Sequence, residues 1–491
     1  MNKPVSACSR RAFIKKNVWN CTGLAIGMTL PVCVSHGASN TGAPTIFDAI
    51  QPPAAVGAVN SSVDIHADGL KIAVFDVDAT PPVGSLLAYD QMATAWDLGL
   101  RAKGLVLTGA GDPIVLCAID WIGIANESQD AFKQTLANAV RTVPERVVVH
   151  SLHQHDAPIC DFGAEKMLKA MGIAPESFDG AFARELLGRL EKAAKESLDQ
   201  QRPLTDISLG KAPVFEVASN RRIVKDGKAG PLRSTACKDP DLRNEPEGLI
   251  DPDVTLIGFW DGEQPVAVMT FYATHPQSYY LTKIANPDFP GVARFYRQLS
   301  MPEALHIHFT GAGGNIGAGK YNDGSPINRL ILAGRLADGM ERAWKNSVKR
   351  PVTAGEIAWK TVPVALPVAH EKVRDVEKQI KTAPMRFRTN NMSMIVWAKR
   401  VLSGKTIDIA CLNIGQAKVL FMPGELFVEY QLAAKALRPD LAVSMAAYGD
   451  FGPFYIGTKK AYSEGGYEIE SSPLTPEVEE VLMKAIHQLM D

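Results

Sequence analysis

Apolar residues along the chain follow two alternating periods. Short runs rich in β-branched residues read as buried strands: Ile114 to Ile119, Arg146 to Leu152, Val266 to Ala273, Ala304 to Phe309, Lys418 to Met422 and Leu441 to Ala447. Between them, apolar positions recur every three to four residues. This spacing predicts helices near Ser128 to Val140, over Phe182 to Leu198, from Ser325 to Lys345 and over Leu426 to Leu437. Ser325-Pro326 is a helix-start pair at the head of the third. Strands alternating with helices predict an α/β fold with a substantial sheet. No internal repeat, low-complexity tract or linker interrupts residues 61–491, which read as one domain. Residues 40–60, rich in Ala, Pro, Asn and Ser, read as a leader into it.

The first 39 residues form a targeting segment and stay outside the fold argument. Ser9-Arg10-Arg11-Ala12-Phe13-Ile14-Lys15 fits the twin-arginine consensus, and the weakly apolar run Thr22 to Val34 ends near small residues at Gly37 to Ser39. The expectation is export to the periplasm by the twin-arginine machinery. Cys33 is a poor lipoprotein site, because bulky Val32 stands where a small residue is needed. No later stretch reaches 18 uninterrupted apolar residues, so no stable membrane span is expected.

Charge and cysteine content narrow the partners. Residues 1–39 hold Lys3, Arg10, Arg11, Lys15 and Lys16 and no acid, so the remainder carries −6 against −1 for the whole chain. With no basic patch, nucleic acid is not an expected partner, and a small-molecule substrate is. Cys117, Cys160, Cys237 and Cys411 remain after the signal, too scattered for a CxxC metal site or a disulfide framework.

The polar residues of interest sit just past the carboxyl ends of strand-like runs: His153-Gln154-His155-Asp156, Thr274-His275-Pro276, Thr310-Gly311-Ala312-Gly313-Gly314-Asn315 and Pro423-Gly424-Glu425. Open α/β sheets place ligands at that edge. His153 and His155, two apart on an extended strand end, share a face and can address one metal, although an HxH pair alone is more often a surface or hydrogen-bonded feature. His275, a polar ring after an apolar strand, needs a partner. Glu425 opens a helix, where a carboxylate also suits the macrodipole. Backbone N–H groups from Gly311 to Asn315, Gly313 among them, can hold an oxyanion; a plain turn with positive φ is the alternative. His155 or Asp156 is the proton shuttle, and His155 has the better intrinsic pKa. Arg222 reads equally as a substrate anchor or as a structural ion pair.

Taken in order, several strings resemble the neutral ceramidase family. VVVHSLHQHDAP (147–158) resembles its HxHSGP segment, FDVDATPPVG (75–84) its opening segment and FYATHPQS (271–278) its second histidine motif. FMPGELF (421–427) and FYIGTKKAYSEGGYE (454–468) resemble the stretches with its metal-binding glutamate and tyrosine, while Asn220-Arg221-Arg222 and Asp288-Phe289-Pro290-Gly291 match further strings. The matches run from about residue 70 to residue 470. The resemblance implies a single catalytic domain with a mixed sheet and flanking helices, and zinc held by His153, His275, Glu425 and Tyr455. Gly311 stands where the family's proposed nucleophilic serine is expected, and the family's C-terminal immunoglobulin-like domain has no counterpart. Zinc lowers the pKa of a water it holds to roughly 7, so hydrolysis needs no serine. The expectation is an exported zinc hydrolase acting on an amide or related linkage of a small polar or amphipathic molecule. A glycosidase or esterase on the same fold, or an exported non-catalytic binding protein, are the alternatives.

Overall fold

Ile114–Ile119 and Val147–Ser151 are buried at every position, as strands covered on both faces must be, which is why their sequences run apolar without alternation. In the computed structural model, which describes residues 69–90, 92 and 96–491, these two strands pair in parallel, with Val115 opposite Val147. The helix Asn126–Val140 joins them. Arg101–Thr108 and Lys71–Asp78 extend the sheet in antiparallel order to a short edge strand, Arg202–Pro203. The expected signal and leader, residues 1–39 and 40–60, lie outside the described residues, all of which belong to Val63–Asp491.

This construction recurs twice. Asp206–Pro213, Asp253–Asp261 and Gln264–Tyr272 form an antiparallel meander, and the helix Asp288–Ser300 then leads to Leu305–Thr310, parallel to Gln264–Tyr272. Ile357–Val364, Ile407–Ile414 and Ala417–Phe421 form another, and the helix Val428–Leu437 leads to Ala442–Ala446, parallel to Ala417–Phe421. In each third a second helix follows and packs near the crossover helix: Ala181–Ser197, Ile327–Lys345 and Val478–Met490. The chain therefore traces one strand and helix order three times, a repetition of topology that the sequence does not display. The result is a mixed α/β domain.

One face of each sheet turns to a shared core. Leu105 and Leu116 of the first sheet meet Phe259, Met269 and Phe309 of the second and Leu412, Val419 and Phe421 of the third. The opposite faces lie under their own helices: Val115 and Val149 against Phe132 and Leu190, and Val254 and Val268 against Leu332 and Leu336. In the third, Ile409 and Leu420 share a cluster with Tyr430 and Ile486.

At the carboxyl ends of the parallel pairs, Thr310 ties the three sheets together. Its N–H donates to His150 Nε2 at 3.0 Å, its hydroxyl donates to the Leu152 carbonyl at 2.9 Å, and its carbonyl accepts from Ala447 N at 3.0 Å. Burial pushes His150 down to about 3, so its ring stays a neutral acceptor. A buried pair reinforces the junction: Arg294 of the second third donates to both oxygens of Asp120, at the end of Ile114–Ile119, at 2.7 and 2.6 Å. The four cysteines are buried as free thiols, and among the described residues no helix is long and apolar enough to cross a membrane.

Candidate metal centre

Each third sends one candidate ligand past the end of a strand in its parallel pair. His153 follows Val147–Ser151, His275 follows Gln264–Tyr272, and Glu425 follows Ala417–Phe421. His153 adopts left-handed backbone, φ +73°, which costs a non-glycine residue on the order of 1 kcal/mol or more. Its surroundings enforce it: the N–H donates to the Trp121 carbonyl at 2.9 Å, and the ring stacks at 4.5 Å on Tyr448, itself left-handed at φ +60°.

The imidazoles are oriented by carbonyls. His153 Nδ1 lies 2.6 Å from Ile122 O and His275 Nδ1 lies 3.4 Å from Gly313 O. A carbonyl only accepts, so each Nδ1 carries the proton and each Nε2 presents a lone pair. Those two Nε2 atoms are 3.2 Å apart, and His155 Nε2 is 3.3 Å from His275 Nε2. Glu425 Oε2 stands 3.4 Å from His153 Nε2 and 3.8 Å from His275 Nε2, buried and without a hydrogen-bond donor. An unpaired buried carboxylate oxygen costs about 3 kcal/mol or more, and lone pairs turned on one another repel. A cation at their common point removes both penalties, so nitrogen and oxygen donors here fit a metal ion. Burial first, with the nearby Arg221 guanidinium, pushes His155 and His275 well below the usual histidine range, so both rings are held neutral.

Tyr455 pairs with Glu425 in the short parallel ladder of Glu425–Leu426 and Tyr455–Ile456. Its hydroxyl accepts from Arg221 Nη1 at 3.4 Å. Burial, reinforced by the Glu425 carboxylate, pushes its phenol well above the usual range. His155 differs from the other two histidines in that its Nδ1 has no partner, and its ring lies between Tyr89 and Tyr280 at 5.4 and 5.1 Å.

The remaining candidates are not gathered at this point. Asp156 accepts from Leu281 N, Thr282 N and Thr282 Oγ1 at 3.0, 3.3 and 2.8 Å, and so anchors the segment after His275. Arg222 is buried in ion pairs with Glu464 and Glu468 at 3.1 and 3.4 Å, the structural one of its two readings. Asn315 holds the start of Val428–Leu437, accepting from Val428 N at 2.9 Å and donating to Glu429 at 2.8 Å. In the loop, Gly311 N donates to Tyr272 O, Ala312 N to Gln431 Oε1 and Gly314 N to Leu426 O, at 2.8, 2.9 and 2.8 Å.

None of the loop's glycines is left-handed, so a turn with positive φ is not why they are glycine. Close approach is the reason. A Cβ at Gly313 would lie 2.8 Å from the Thr274 carbonyl carbon, one at Gly314 2.2 Å from Glu425 O, and one at Gly311 2.6 Å from Gln431 Oε1. The loop packs backbone to backbone against the segments carrying His275 and Glu425 and sets their spacing.

Arg221, not Arg222, faces the site. Past the ladder of Ser219–Asn220 with Ile316–Gly317 the two arginines diverge: Arg221 lies over the Tyr455 and Tyr467 rings and 3.5 Å from Glu468, whereas Arg222 reaches on to Glu464. The Asn-Arg-Arg string marked the place, but only the course of the folded backbone after Asn220 decides which arginine enters. Tyr448, Tyr89, Tyr280 and Tyr467 complete the surroundings; they follow no periodic pattern that sequence reading could use.

No family model matches the sequence, and no curated protein is similar to it in sequence. Solved structures similar in fold include two ceramidases. A ceramidase complexed with C2 superposes with a TM-score of 0.61 at 14% identity, over 86% of this chain and 75% of that one. The neutral ceramidase from Pseudomonas aeruginosa gives 0.57 at 15% identity, over 86% and 74%. At such identities the likeness is one of fold, and the fold of this chain is ceramidase-like.

Proposed function

We propose that the chain is an exported, zinc-dependent hydrolase that cleaves an amide or related linkage in a small polar or amphipathic molecule. The carrying observation is the convergence of His153, His275 and Glu425, with oriented lone pairs and an unpaired carboxylate oxygen facing one point. Two imidazoles and a carboxylate, with the Tyr455 phenol alongside, are a donor set that suits zinc. When bound, zinc polarises a carbonyl and makes water a better nucleophile.

The chain's own groups supply the rest. Gly311 has no side chain and the Thr310 hydroxyl is committed to the Leu152 carbonyl, so water is the attacking group assigned here. Arg221, beside Tyr455, is placed to hold a substrate oxygen. His155, with Nδ1 unpartnered, is the group assigned to move the proton. His155→Asn should keep stoichiometric zinc while kcat falls by roughly 10² to 10⁴. Loss of zinc in that variant would make His155 a ligand instead. Metal analysis of the native protein, followed by a panel of N-acyl, ester and glycoside substrates, tests the reading as a whole, and absence of any turnover would favour a binding protein.

Export is proposed from Arg10-Arg11. Replacing both with Lys should strand the precursor in the cytoplasm, measured by fractionation. An unchanged periplasmic yield would refute the targeting assignment.

A further inference from the structure

Beside the candidate metal centre stands a cation that the fold does not use. Arg386 is exposed in the first turn of the helix Met385–Leu402, where the dipole disfavours positive charge and no acidic residue offsets it. The other arginines of this helix that form ion pairs show the contrast: Arg388 pairs with Glu176 and Arg400 with Asp130, whereas Arg386 has no carboxylate partner among the described residues. Its guanidinium is nevertheless fixed. It lies 5.4 Å from the Tyr89 ring centre and 5.8 Å from that of Tyr280, and it donates to the Tyr280 hydroxyl at 2.8 Å. Those two rings are the ones that flank His155, so a single aromatic ring separates Arg386 from the histidine cluster. A guanidinium held in place by two π faces and a phenol, with donors unspent, is preorganised to receive an oxyanion.

We propose that the substrate carries an anionic group, such as a carboxylate, a few bonds from the linkage that is cleaved, and that Arg386 is the residue that selects for it. The linkage rests on the hydrolase reading above, whereas recognition of the anion can be measured without turnover. Zinc-loaded protein would be titrated calorimetrically with N-lauroylglycine and with its uncharged methyl ester, and hydrolysis of both followed. The acid should bind at least about tenfold more tightly than the ester, as a charge-assisted contact implies. Arg386→Gln should erase that preference by weakening the acid alone, with zinc content unchanged, and Arg386→Lys should keep part of it, since the charge remains but the planar fork is lost. Failure of the acid to bind, equal affinity for acid and ester, or equal weakening of both in Arg386→Gln would overturn the proposal. A preference that depends on Arg386 without cleavage of either probe, or of any member of the N-acyl, ester and glycoside panel, would leave the anion site standing and remove the hydrolase reading. Cleavage of both with no preference for charge would do the reverse.

Discussion

Replacing His153 by Ala should remove most of the copurifying zinc and lower hydrolysis by about a thousandfold or more, because polarisation by the ion is worth several kcal/mol of barrier. The position complicates the test, since its φ of +73° is itself unfavourable for Ala. Asn tolerates left-handed backbone better, so His153→Asn is the companion variant that separates loss of the ligand from loss of the loop. Both should bind little zinc by elemental analysis while keeping a native circular dichroism spectrum in the Asn case. Stoichiometric zinc in a His153→Ala, His275→Ala double variant would sink the assignment.

The largest loss of stability is expected at Asp120. Its carboxylate is fully buried, receives both guanidinium nitrogens of Arg294, and also accepts from Arg101 N at 2.9 Å. Asp120→Ala leaves Arg294 buried and unpaired, a change that costs about 3–5 kcal/mol. Because Trp121 and Ile122 supply the two carbonyls that hold His153, zinc retention should weaken as well. Urea denaturation of zinc-loaded protein measures the first effect, and adding Arg294→Met should restore part of the loss by removing the stranded charge. A drop below about 1 kcal/mol would mean that water reaches the pair.

The strands that carry the site were legible in the sequence because they are buried on both faces. Ile114–Ile119 is readable to the residue for that reason. Asp206–Pro213 and Ile357–Val364 are not: they are partly exposed and carry Gly210 and Pro213, or Lys360 and Pro363, so neither an apolar run nor clean alternation survives. The helix read from Leu426 begins at Val428, because Glu425–Leu426 is taken by the ladder with Tyr455–Ile456. Within the site, His153, His275 and Glu425 announce themselves as polar residues following apolar runs. Asp156 announces itself in the same way and yet serves the fold, since what distinguishes it is the Thr282 backbone arriving from more than a hundred residues away. Tyr89, Tyr280 and Arg386 come from two loops and a helix start and meet only in space.

The threefold topology also bears on how this protein can be judged complete. His153 belongs to the first third, His275 to the second, and Glu425 with Tyr455 to the third, so no fragment made of one or two thirds owns the whole donor set. A chain cut after Lys345 would keep both histidines, free to bind an ion loosely, but would lack the carboxylate that completes the point of convergence. Tight occupancy of the centre would thus act as a checksum on assembly, satisfied only when three stretches of chain, each contributing its own sheet and helices, have closed against one another.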